Sequence, residues 1–174
     1  TVKVWNLVSD ELVATFAAHG KRVESIRFLS DTRIASGGRD NVIRVWDLPS
    51  LREQRFLRGH SGYIWWLAGP TPDGFLVSGA MDGRVMLWQL GADAENNSIV
   101  FDAIQIAVTL SPDESSVAVV VKDTEESSHI ELLGVPDLAR RRALTTDYPV
   151  GSVAFSAQGM LACGGRRGKG DKGD

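Results

Sequence analysis

The chain has 174 residues, 43% apolar and 24% charged, with a net charge of −3 and one cysteine, Cys163. That length supports one domain with a real core, and the mild negative charge gives no general attraction to nucleic acid or to an anionic membrane. One thiol cannot staple a fold, which excludes a disulfide framework and favours a reducing, intracellular and cytoplasmic compartment; no apolar run is long enough to span a bilayer.

From the N-terminus, every periodic stretch reads as a strand: four to eight residues rich in Val, Ile, Leu and aromatics, bounded by Gly, Asp, Ser or Pro. No window carries a sustained helical apolar period. The opening Thr1-Val2-Lys3-Val4-Trp5 is not a secretory leader and starts in the middle of a strand pattern, as if cut from something longer. Strands are predicted at 1–7 and 11–18, then at 22–29, 33–38, 42–48 and 52–58. A second set of four falls at 62–69, 75–80, 84–90 and near 97–102, and a third at 104–110, 116–122, 129–134 and 139–145. The last two are 150–156 and 160–164; the tail beyond them, Arg166 to Asp174, has no apolar residue and is expected to be disordered.

These strands repeat. Trp5, Trp46 and Trp88 are 41 and 42 residues apart, His19 and His60 are 41 apart, and the pairs Ser36/Ser78 and Asp40/Asp82 are each 42 apart. Ile34-Ala35-Ser36-Gly37-Gly38 aligns with Leu76-Val77-Ser78-Gly79-Ala80 and with Leu161-Ala162-Cys163-Gly164-Gly165. A period in the low forties means one supersecondary unit copied in tandem. With Val45-Trp46-Asp47 and its partial copies Val4-Trp5-Asn6 and Leu87-Trp88-Gln89, the chain resembles the WD40-repeat β-propeller family up to Gly165. The third full repeat departs from the pattern: it has no Gly-His and no Trp, and its b–c turn is lengthened by Asp123 to Ser128. The last repeat has Thr146 in the histidine position. The resemblance implies an all-β arc of four-stranded antiparallel blades, three full blades plus two half blades, over residues 1–165.

The resemblance also implies a hydrogen-bonded tetrad in each of two blades: His19, Ser36, Asp40, Trp46 and His60, Ser78, Asp82, Trp88. The chemistry is sound on its own terms. Indole only donates, a carboxylate only accepts, and a hydroxyl and a neutral imidazole do both, so a chain Trp→Ser→His→Asp satisfies every buried group. A hydrolase reading of Ser, His and Asp fails because the set repeats with the blade and its serine is spent as an acceptor for indole. No catalytic residue, cofactor site or metal site is assigned. Two histidines belong to tetrads and His129 is read as standing alone; Asp123 to Glu126 is read as a solvated acidic loop. Arg140-Arg141-Arg142 is a solvated outer face rather than a nucleic-acid site. The glycines at 37–38 and 164–165 are assigned to close blade packing.

Partners of this family usually meet the face carrying the d–a loops and b–c turns. The matching positions are Arg22, Arg39, Tyr63 and Met81, with Trp65 adjacent, residue types that anchor protein interfaces. Trp65-Trp66 has two readings, blade packing and an aromatic contact at the rim. Two guanidinium groups favour acidic or phosphorylated segments. Closing four blades would need about 90° between neighbours against about 51° for seven, and small strand-b residues disfavour the wider wedge. The expectation is therefore an open arc completed by the remaining blades of a longer polypeptide, with a second copy or a closed four-blade ring as alternatives. The expected function is a protein-interaction scaffold or ligand-sensing segment. The alternative is a substrate-recognition or autoinhibitory accessory domain of an enzyme whose catalytic part lies elsewhere.

Overall fold

The computed structural model describes residues 1–91, 97–101 and 105–165. The expected tail at 166–174 lies outside the described residues, as does part of the segment before the third blade. Among the described residues all regular elements are strands, so no helix is long and apolar enough to cross a membrane.

Sixteen strands among the described residues form five antiparallel sheets. β1 (Val2–Asn6) and β2 (Glu11–Phe16) make a two-stranded sheet. The first full blade is β3 (Val23–Ser30), β4 (Arg33–Gly38), β5 (Val42–Asp47) and β6 (Arg52–Arg58), paired in chain order. The second is β7 (Ile64–Ala68), β8 (Phe75–Ala80), β9 (Arg84–Gln89) and β10 (Asn97–Val100). The third is β11 (Gln105–Leu110), β12 (Ser116–Lys122), β13 (Ser128–Gly134) and β14 (Arg140–Thr146). β15 (Val150–Phe155) and β16 (Leu161–Gly165) form a final pair. Among the described residues the two terminal pairs are separate sheets.

The core lies between blades. Leu29, Ala35, Ile43 and Val45 of the first blade pack on Ile64, Leu67, Met86 and Trp88 of the second. Val77, Val85 and Leu87 of the second pack on Val117, Val119 and Leu133 of the third. Phe16 and Trp46 join β2 to the first blade, with rings 4.9 Å apart. The first strands of successive blades, β3, β7, β11 and β15, lie side by side.

Glycine sets the spacing of these interfaces. A Cβ on Gly37 would sit 2.7 Å from Ile64 Cγ2 in the next blade, and one on Gly79 would sit 2.9 Å from Val108 Cγ2. The equivalent Gly164, in the last pair, has nothing within 4 Å.

Each first strand also carries a bulge at one place. Val23 pairs with Gly38 while Ser25 pairs with Gly37, leaving Glu24 as the extra residue. Ile64 pairs with Ala80 while Trp66 pairs with Gly79, leaving Trp65. The shift recurs between Gln105 and Ala107 and between Val150 and Ser152. A bulge re-aims the side chain of the residue it inserts, and here it does so in the strand nearest the axis.

Candidate partner-binding face

Two polar relays lie in the blades that carry the candidate face. Trp46 Nε1–H donates to Ser36 Oγ at 3.0 Å, Ser36 Oγ lies 2.8 Å from His19 Nε2, and His19 Nδ1 lies 2.7 Å from Asp40 Oδ1. In the next blade Trp88 Nε1–H donates to Ser78 Oγ at 2.8 Å, Ser78 lies 2.7 Å from His60 Nε2, and His60 Nδ1 lies 2.9 Å from Asp82 Oδ2. The donor inventory fixes the sense: the hydroxyl donates to Nε2, and Nδ1–H donates to the carboxylate. Ser36 and Ser78 are wholly buried, so neither hydroxyl meets a substrate.

Burial drives the His60 pKa below its usual 6.5, outweighing the pull of Asp82. Burial pushes Asp82 the other way. Hydrogen bonds from His60 and from the Ser61 and Arg84 amides outweigh it and hold the carboxyl below its usual 3.8. The pair is therefore a neutral imidazole beside a carboxylate.

Among the described residues the third blade has no such relay. By register, Val119 stands in the serine position and Leu133 in the tryptophan position, and both are fully buried. Thr146, in the histidine position of the last repeat, has its Oγ1 2.6 Å from the Ser128 carbonyl and 2.9 Å from the Tyr148 carbonyl, two acceptors for its one proton. One expectation is corrected: His129 does not stand alone. Its Nδ1 lies 2.6 Å from Asp123 Oδ1 and its Nε2 3.5 Å from Glu131 Oε1, because the long b–c turn folds Asp123 back onto β13. The rest of that acidic loop is exposed, with Glu125 paired to Lys122 at 2.6 Å. Among the described residues no cluster of three or more side chains could hold a metal.

The rim residues come together where the relays end. The Arg39 N–H donates to the Arg22 carbonyl, and the Met81 N–H to the Tyr63 carbonyl, both at 2.9 Å. These equivalent bonds close the upper ends of neighbouring blades. The Arg39 guanidinium bridges them, 5.4 Å from the Tyr63 ring centroid, within cation–π range. Tyr63, Trp65 and Met81 are each more than a third exposed.

The tryptophan pair divides between its two readings. Trp66 packs half-buried on the clusters of the second and third blades, its Nε1 enclosed without a partner. Trp65, on the bulge, is exposed.

Glu24 was not among the expected rim residues. Its side chain is only 15% exposed; Oε1 lies 2.5 Å from Arg39 Nε, and Oε2 3.4 Å from Arg22 Nε. The rim is therefore less cationic than its two arginines suggest. The signal was available: Glu24 precedes Trp65 by 41 residues, one repeat.

Comparison with known proteins agrees with this architecture. The family model described as WD domain, G-beta repeat matches residues 10–47 and 51–89. Each match covers the last strand of one blade and three strands of the next. MST50-interacting protein 11 of Pyricularia oryzae is 29% identical over 87% of this chain and 50% of its own length. The small ribosomal subunit protein RACK1 of Neurospora crassa is 30% identical with the same coverage. The methylosome protein WDR77 of Xenopus laevis is 29% identical over 89% of this chain and 49% of its own length. The chain thus spans about half the length of these curated relatives. A chain in the crystal structure of a mitotic checkpoint complex superposes with a TM-score of 0.80, covering 94% of this chain and 50% of that one, at 18% identity, a likeness of fold alone. Matched repeats, blade topology and the register of the polar relays converge: the chain belongs to the WD40-repeat β-propeller family.

Proposed function

We propose that this chain is an interaction module, the scaffold or ligand-sensing segment of an intracellular propeller protein. Its face at Arg22, Arg39, Tyr63, Trp65 and Met81 docks an acidic or phosphorylated segment of another protein. The observation that carries the reading is the placement of Arg39: its guanidinium reaches from one blade to the exposed Tyr63 ring of the next, whose carbonyl takes the N–H of exposed Met81. Arginine and aromatic anchors on a rigid scaffold are the groups that dominate binding energy at protein interfaces. Three relatives are described by their assemblies: one as interacting with MST50, one as a small ribosomal subunit protein, one as a methylosome protein. Those descriptions support a role in holding proteins together. Free, exposed Cys163 supports a reducing compartment.

The test is peptide binding by fluorescence anisotropy, using a phosphoserine peptide library and its glutamate counterpart. Arg39→Ala should weaken binding about tenfold or more, the loss of one charge-assisted hydrogen bond. Arg22→Ala should cost less, because Arg22 is 70% exposed. Unchanged affinity in both variants removes the proposal.

A further inference from the structure

We infer that Glu24 is a built-in counter-ion of this face, an internal carboxylate that lowers the affinity of the rim for anionic partner segments. The inference rests on the reading of the rim as a docking face and adds a residue that sets its affinity.

The geometry is specific. Glu24 is the extra residue of the β3 bulge, so its carboxylate is placed by the backbone rather than by a mobile loop. It accepts the Arg39 Nε–H at 2.5 Å and lies within ion-pair range of Arg22 Nε, at 3.4 Å. A carboxylate or phosphoryl group normally grips arginine through two adjacent N–H donors. With Nε occupied, an incoming anion must use the outer nitrogens or displace Glu24, and it meets a negative charge in either case. Arg39 also lies 5.4 Å from the Tyr63 ring centroid, a second contact that favours this position. Trp65 holds the same bulge in the next blade, so a charged and an aromatic side chain occupy matching places beside the axis. The face therefore offers an anion position already filled from within, next to an aromatic and thioether wall for a neighbouring apolar side chain.

The effect scales with ligand charge. One unit charge at about 6 Å in a water-like medium changes affinity about threefold, and a doubly charged group about tenfold. The variant is Glu24→Gln, which keeps an oxygen for Arg39 Nε and deletes the charge. Three peptides of one sequence carry phosphoserine, glutamate or serine at the central position; affinities are read by anisotropy at low and high salt.

The counter-ion role predicts about tenfold tighter binding of the phosphoserine peptide, about threefold for the glutamate peptide and no change for the serine peptide. The gains should vanish at high salt. Unchanged or weaker binding by Glu24→Gln, with losses in the arginine variants, overturns the counter-ion role and leaves the docking face standing. Equal gains for all three peptides overturn it as well. A fourth peptide, with lysine at the central position, is the control: preferential binding of it that Glu24→Gln abolishes makes Glu24 a cation acceptor and overturns the counter-ion role. Absence of binding by any variant overturns both readings. Thermal melting checks that the variant is folded, and Glu24→Ser, also neutral, repeats the measurement if Glu24→Gln melts early.

Discussion

Replacing Ser78 by alanine tests the relays most directly. Ser78 Oγ accepts the Trp88 indole N–H at 2.8 Å and donates to His60 Nε2 at 2.7 Å, and all three residues are buried. Alanine nearly preserves the volume, so no cavity adds to the cost. What changes is that an indole N–H and an imidazole nitrogen lose their partners inside an apolar cluster. Each orphaned group costs about 1–3 kcal/mol, giving about 2–6 kcal/mol in total. For a chain of this size, at about 2–4 °C per kcal/mol, that lowers the melting temperature by roughly 5–25 °C. Ser36→Ala should cost somewhat less, since Trp46 is 7% exposed against 1% for Trp88. Urea unfolding followed by tryptophan fluorescence measures both. A loss below about 0.5 kcal/mol for Ser78→Ala would mean that water or another group satisfies the indole, and would refute the relay as a stabilising device.

Further expectations follow from the packing and the electrostatics. Gly37→Ala drives a methyl group against Ile64 and should cost about 1–3 kcal/mol by overpacking. Gly164→Ala, at the equivalent but open position, should change stability by less than about 0.5 kcal/mol; equal effects in urea unfolding would refute glycine-set blade spacing. His60 keeps a pKa below 6.5 in the folded state, so the unfolded chain binds more protons on acidification. Its contribution is present above pH 6.5 and is lost as pH falls through that value toward the folded pKa. Asp82, also depressed, adds a second loss as pH falls below 3.8. A His60 NMR titration midpoint at or above 6.5 would contradict the first expectation.

Strand positions were legible in the sequence because a blade is built from local signals: apolar runs of strand length, turn residues between them, and a repeat that copies both. The observed strands fall within a residue or two of the expected ones across the described segments. Relay membership was legible for the same reason, since four residue types recurring at one spacing mark one structural position. Counting repeats from those anchors led to Arg22, Arg39, Tyr63 and Met81, which the structure places at the ends of neighbouring blades.

What the sequence did not disclose depended on which side chains meet across blades. The fate of Glu24 hinges on a one-residue bulge and on two arginines that reach the same carboxylate, 2 and 15 residues away in sequence. The division of Trp65 from Trp66 hinges on the same bulge, which turns one indole outward and seats the next between clusters. His129 reads as solitary until a six-residue turn returns Asp123 to it. The sequence by itself determined the repeat, the strands and the polar relays, because periodicity and donor–acceptor chemistry are written residue by residue. Only the tertiary structure decided the charge of the rim and the exposure of its aromatics, because those depend on where neighbouring sheets place groups that no local pattern links.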